Sequence, residues 1–249
     1  MCLILVAWQV HPDFPLVVAA NRDEFLARPT AVAGRWADAP GVMAGRDLEA
    51  GGTWLGITDA GRFAAVTNVR EPGKPKGALS RGCLTRDFLT GTLAPLEYAQ
   101  AIDGGAFSGF NLLLADAHTL CYRSNRDGAA RVLPAGIYGV SNHLLDTPWP
   151  KLTTAKARFE DALDRLPDEE AFFDLLADDD IVPDERLPAT GVPLDWERLL
   201  SAVFVRAPGY GTRASTLLLR RRNGTGILVE RSFGAEPNPL GTVRLAFGE

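Results

Sequence analysis

Two stretches of this chain hold side chains that combine into a chemical site: a cysteine at position 2 and the tetrad Asn21-Arg22-Asp23-Glu24. Removal of the initiator methionine makes Cys2 the first residue, carrying a thiol and an α-amine together. The amine has a reference pKa of about 7.7 to 8.0 and the thiol of about 8.5, so near neutral pH the amine accepts its own side chain's proton. Nucleophile and base are then one residue. Most unpaired cysteines in apolar strands are small buried hydrophobes, and one becomes reactive only where a polar neighbourhood supports the thiolate. The tetrad is such a neighbourhood. Asp23 suits an α-ammonium, Arg22 suits a thiolate or a substrate carboxylate, and Asn21 offers amide hydrogen bonds.

The elements around these residues decide whether they meet. From Cys2 to Val10 the chain is apolar on both alternating faces, with Cys2, Ile4, Val6 and Trp8 on one and Leu3, Leu5 and Ala7 on the other. That pattern predicts a strand covered on both sides. His11-Pro12-Asp13-Phe14-Pro15 reads as a turn, and Leu16 to Ala20 as a second apolar strand that the tetrad terminates. Closing the hairpin with Val10 opposite Leu16 sets Asp23 against Leu3 and Glu24 against Cys2, to within a residue or two.

Further strands are predicted at GVMAGRD, TWLGIT and RFAAVTN, the last two joined through Asp59-Ala60-Gly61. SRGCLTRDFLTG and APLEYAQAID carry helical spacing, as do about Lys151 to Leu166 and DEEAFFDLLAD. Strands return at FNLLLA, TLCYR and IYGV, and again at SAVFVR, TRASTLLLR, GILVERSF and TVRLAF. Strands, helices, strands, helices and strands in this order predict an α+β fold of antiparallel sheets with helices packed outside. A four-layer αββα sandwich accounts for the doubly covered first strand. No linker or repeat divides the chain, so residues 1 to 249 are read as a single domain.

Several chemistries are set aside. A net charge of -5 provides no drive toward nucleic acid, and Arg220 to Arg222 sit beside Asn223-Gly224 as the decorated end of a hairpin. Gly209-x-Gly211-x-x-Ala214 precedes a strand where a dinucleotide fingerprint needs a helix. Three scattered histidines, His11, His118 and His143, suit no zinc motif, and Asp178 to Asp180 read as solvated loop. Ser141 in GVSNH lacks the second glycine of a nucleophile elbow. No apolar run reaches the length of a membrane span. Cys2, Cys83 and Cys121 form no CxxC pair and leave an odd thiol in any disulfide scheme, which suits a cytoplasmic protein.

The succession of MC and a strand, then NRDE, TWLGI, VTNVR, YGVSNHLLDTPWPK and GTRASTLLL resembles the NRDE family, also called transport and Golgi organisation protein two, from Cys2 to about Leu219. That family is similar in outline to the N-terminal nucleophile hydrolases of the choloylglycine hydrolase and penicillin V acylase group, which adopt an αββα sandwich. The resemblance implies Cys2 as nucleophile and Asp23 as partner of its amine. It implies Asn68 and Asn142 as asparagines around the oxyanion and the nucleophile, and Arg213 as a second arginine. Those hydrolases carry an arginine three residues before the aspartate, where this chain has Ala20 and places its arginine at Arg22.

Two functions follow as expectations. One is cleavage of a linear amide or a thioester, with Cys2 attacking the acyl carbon and Asn142 with backbone N–H groups holding the oxyanion. The other, which the resemblance implies through the connection of eukaryotic family members with haem handling and with lipid or coenzyme A metabolism, is a carrier of a hydrophobic anionic ligand. There Arg22, Arg213 and His143 contact carboxylates or iron and Cys2 is a soft ligand. No cofactor is required in either, and any haem is a non-covalent ligand, since no CxxCH is present. The partner is a small molecule in both, with substrate and oligomeric state left unspecified.

Overall fold

A computed structural model describes residues 2–234 and 239–248. In chain order the elements are β1 (Cys2–Trp8), β2 (Leu16–Phe25), β3 (Thr30–Trp36), β4 (Ala39–Asp47), β5 (Leu55–Thr58) and β6 (Phe63–Asn68). Helices α1 (Gly82–Thr90) and α2 (Pro95–Ala101) follow, then β7 (Phe110–Ala115), β8 (Leu120–Ser124), β9 (Arg131–Leu133) and β10 (Gly136–Val140). Next come α3 (Pro150–Leu163), α4 (Glu170–Leu176) and α5 (Leu194–Leu199). The chain closes with β11 (Arg206–Ala207), β12 (Tyr210–Arg220), β13 (Gly226–Phe233) and β14 (Pro239–Phe247).

Two antiparallel sheets result. One runs β10-β1-β2-β12-β13-β14 with β11 beside β12, and the other is the meander β3-β4-β5-β6-β7-β8-β9. Ile4, Val6, Trp8, Leu16, Val18 and Ala20 of the first sheet pack with Met43, Ile57, Phe63 and Leu113 of the second. The alternate residues Leu3, Leu5, Ala7, Val17 and Ala19 pack with Leu152, Phe159, Phe172 and Leu176 of α3 and α4. Leu84, Phe88 and Leu89 of α1 cover the outer face of the second sheet. Four layers, αββα, explain why β1 is apolar on both faces: each face has its own core.

The register of the first hairpin differs from expectation by two residues. Trp8 faces Leu16 and Cys2 faces Arg22, because Gln9 turns with φ 54° and its N–H bonds Pro15 O at 2.8 Å, lengthening the turn. A slip of two keeps every side chain on its own face. The tetrad also lies inside β2 rather than ending it, since Tyr210, Gly211 and Thr212 of β12 pair alongside as far as Phe25.

Three described elements carry no clear periodic signal: β3, β9 and α5. SAVFVR is the reverse case. Residues 201–205 are buried yet form no strand, only Arg206–Ala207 pairing. Side chains replace the missing ladder. Lys151 Nζ donates to Leu200 O and Ala202 O, Asn21 Nδ2 donates to Val203 O, and Val205 N–H bonds Thr212 Oγ1. Buried backbone groups must be satisfied, and here distant polar residues satisfy them.

Candidate functional site

The strand register assembles the site floor. Cys2 lies beside Arg22, Arg22 beside Ala214, and Ala214 beside Ser232, one residue from each of four adjacent strands. All four line a cavity of about 500 Å3 between the two sheets, which Thr53, Trp54, Thr67 and Asn68 border from the second sheet's side. Cys2 is 8% exposed and Arg22 6%. Burial pushes the Cys2 thiol above its ordinary range, and the nearby Asp23 charge adds to this, while the Asp23 backbone N–H and Arg22 act in the opposite sense. The thiol is thus close to groups that can stabilise its anion, in a setting that makes the neutral form the resting one.

Asp23 belongs to the alternate face of β2. Its Oδ1 accepts from Thr212 Oγ1 at 2.7 Å, and its carbonyl accepts from Tyr210 at 3.1 Å. Burial pushes its carboxyl up, against the pull of Lys151, Thr212 and Arg22. Asp23 still borders the cavity. Asn21 does not. It is wholly buried toward the helices, where Nδ2 donates to Leu176 O at 2.8 Å and Val203 O at 3.0 Å, and Oδ1 accepts from Ser215 at 2.6 Å. Its place is structural, and substrate does not reach it.

Asn142 and Asn68 divide the role expected of them. Asn142 Nδ2 donates to Asn68 Oδ1 at 2.9 Å and Asn68 O at 3.0 Å, so both its hydrogens are engaged. Asn142 is fully buried and outside the cavity lining. Ser141 Oγ ties this pair to the nucleophile strand by donating to Cys2 O at 3.0 Å. Asn68 lines the cavity, and with its oxygen held its amide N–H groups are what it presents there.

Arg213 sits at a bulge between Thr212 and Ala214, and its Nη1 donates to Phe25 O at 3.0 Å and Arg28 O at 2.9 Å, bracing the β2–β3 turn beside the cavity. His143 is exposed, bonded through Nδ1 to Thr147 and stacked near Trp149. It lies outside the cavity, so the structure does not bring it to Cys2.

Two cations that sequence reasoning passed over belong here. Arg81, at the start of α1, lines this cavity and an adjoining one of about 360 Å3 that contains Phe25, Trp196 and Tyr210. The Cys2 charge acts on it. Lys151 lies behind the first two strands, within reach of the charges of Asp23 and Cys2. Arg81 carries no spacing signal, because only the packing of α1 against the second sheet delivers it. Lys151 stands in the PWPK stretch, where it reads as the first turn of an amphipathic helix. Among the described residues no group of three or more His, Cys, Asp or Glu is placed to hold a metal ion.

Two facing antiparallel sheets, flanking helices and a cysteine opening a central strand define the N-terminal nucleophile hydrolase fold. Two solved structures agree. The chain superposes on a Caenorhabditis elegans N-acylethanolamine-hydrolyzing acid amidase ortholog with a TM-score of 0.54 at 16% identity, covering 88% of this chain and 92% of that one. It superposes on the C2A mutant of a conjugated bile acid hydrolase from Clostridium perfringens with a TM-score of 0.52 at 8% identity, covering 98% and 92%. Within that fold, the chain belongs to the Transport and Golgi organisation 2 family, whose sequence profile matches residues 1–235. A Bos taurus transport and Golgi organization protein 2 homolog is 38% identical over 264 residues, 95% of each chain.

Proposed function

We propose that this protein is a cysteine hydrolase of the N-terminal nucleophile type, acting on a linear amide or a thioester. The observation that carries the reading is the cavity itself, where Cys2, Arg22, Asn68 and Arg81 converge. With Met1 removed, the α-amine of Cys2 accepts the thiol proton, and the thiolate attacks the acyl carbon. The carbonyl π electrons move to oxygen, and the oxyanion is held by the Asn68 amide with backbone N–H groups. Assigning this to Asn68 in place of Asn142 follows from the hydrogen bonds of the pair. Collapse of the intermediate breaks the C–N or C–S bond, and the ammonium returns its proton to the leaving group. Water then releases the acyl group from Cys2, with the amine as base again.

Met1 lies outside the described residues, so its removal is the first thing to test. Intact mass of the purified protein should show Cys2 as the first residue. Incubation with a panel of acyl amides and thioesters should give turnover in the wild type and none in Cys2→Ala. Retained Met1, or equal turnover in both proteins, refutes the mechanism.

A second reading is supported by the cavity's cations and rim. Arg22, Arg81 and Arg213 donate to hydroxyl or carbonyl oxygens and to no carboxylate, and exposed Val32, Leu79 and Leu240 edge the same cavity. That lining suits a carrier of a hydrophobic anion such as haem or a fatty acyl group, held without hydrolysis. Stoichiometric binding of such a ligand, weakened in Arg22→Met and without product formation, would favour it.

A further inference from the structure

On the helix side of β1 and β2 lies a cluster of buried charges that the proposed mechanism leaves unused. Arg70 Nη1 pairs with Glu197 Oε2 at 2.6 Å, with both side chains about 5% exposed (6% and 5%). Glu197 also accepts from the Thr190 backbone N–H and hydroxyl. The Arg70 backbone N–H bonds Asn142 O at 2.8 Å, which joins the cluster to the asparagine pair. Lys151 borders the same small space as Arg70 and Glu197 and is 4% exposed.

Lys151 stands where a cation is least welcome. It is buried, it occupies the first turn of α3 where the helix dipole opposes positive charge, and the Arg70 guanidinium adds repulsion. An apolar side chain would fill the space at less cost, and tethering Leu200 O and Ala202 O requires only a neutral donor. A retained ammonium calls for a counter-charge. Glu197 is engaged by Arg70 and Thr190. Of the groups facing Lys151, namely Asp23 and Cys2 from the first sheet, Arg70 from the segment after β6 and Glu197 from α5, the charge acting most favourably on it is that of Asp23. Asp23 in turn feels Lys151 more strongly than it feels Arg22.

We propose that Lys151 is a positioning residue for the nucleophile: its buried ammonium supplies the counter-charge to Asp23 and, through Asp23 and across β1, favours the ionised form of Cys2. This role rests on the hydrolase reading above, yet it is read from the thiol alone and needs no substrate.

The test is the rate of alkylation of Cys2 by iodoacetamide between pH 6 and 10, followed on the Cys2 peptide by mass spectrometry so that Cys83 and Cys121 do not contribute. Wild type, Lys151→Met, Lys151→Gln and Lys151→Arg are compared, with thermal unfolding recorded for each. The charge-removing variants should alkylate about tenfold more slowly at pH 7, equivalent to a thiol pKa one unit higher, and Lys151→Arg should stay within about threefold of wild type. Lys151→Gln keeps donors for the two carbonyls, so it carries the test if the Met variant does not fold. Profiles that superimpose on the wild type in a folded Met or Gln variant overturn the proposal. A wild-type Cys2 that shows no titrating reactivity overturns the nucleophile reading itself, a separate failure.

Discussion

Asn21 is the member of the tetrad whose replacement has the clearest consequence. Its side chain holds three partners from distant parts of the chain: Leu176 O, Val203 O and the Ser215 hydroxyl. Asn21→Ala leaves two buried carbonyls without these donors and one hydroxyl without its acceptor. At about 1 to 1.5 kcal/mol for each bond lost to a buried, solvent-free partner, the total is about 3 to 5 kcal/mol. For a chain of this size 1 kcal/mol moves Tm by about 2 to 4 °C, so Tm should fall by about 6 to 20 °C. Asn21→Asp should cost at least as much, because a carboxylate would face two carbonyl oxygens. Urea unfolding followed by tryptophan fluorescence and by far-UV circular dichroism measures the loss. A loss below about 1 kcal/mol for Asn21→Ala, with ligand affinity altered instead, would refute the argument and restore Asn21 to the binding surface.

Other outcomes are expected. Cys2→Ala, a small replacement in a buried strand, should remove turnover while shifting stability by no more than about 1 to 2 kcal/mol, read by paired activity and urea curves. Arg70→Met breaks the buried pair with Glu197 and should cost about 3 to 5 kcal/mol, whereas changing both residues to apolar ones should recover much of that loss. The folded-state pKa of Lys151 is lowered from 10.5 to about 8. The unfolded chain therefore holds the extra proton between those values, and folding stability should rise with pH across that window. Its full extent is on the order of 3 kcal/mol, and stability curves of Lys151→Met should lack it. Gly226→Ala would put a Cβ 2.2 Å from Leu219 O and from the Phe247 ring, so it should destabilise the β12–β13 hairpin by about 1 to 3 kcal/mol in the same unfolding assay.

Much of the architecture was legible because its signals are local. Alternation placed Leu3, Leu5 and Ala7 on one face of β1 and Ile4, Val6 and Trp8 on the other, and the two cores HIS side and sheet side are built from those sets. The turn at Asn223-Gly224, with Gly224 at φ 90°, closes β12 on β13 as its residue types imply. The hairpin bringing the tetrad to Cys2 was also visible, although its register depended on how residues 9–15 fold around Gln9.

What the sequence by itself determined, then, is the set of strands and helices, the αββα layering they imply, and the pairing of Cys2 with the tetrad. Only the tertiary structure decided which tetrad members face the cavity and which brace the core. It also decided that Asn142 serves Asn68, that Arg213 braces a turn, that residues 201–205 are held by side chains, and that Arg81 and Lys151 approach the thiol. The physical reason is range. Alternation and turn propensity act over a few residues, whereas the bonds of Asn21 to Val203 and of Lys151 to Leu200 join segments far apart in sequence. Such partners are fixed by which buried carbonyls need donors once the layers have packed.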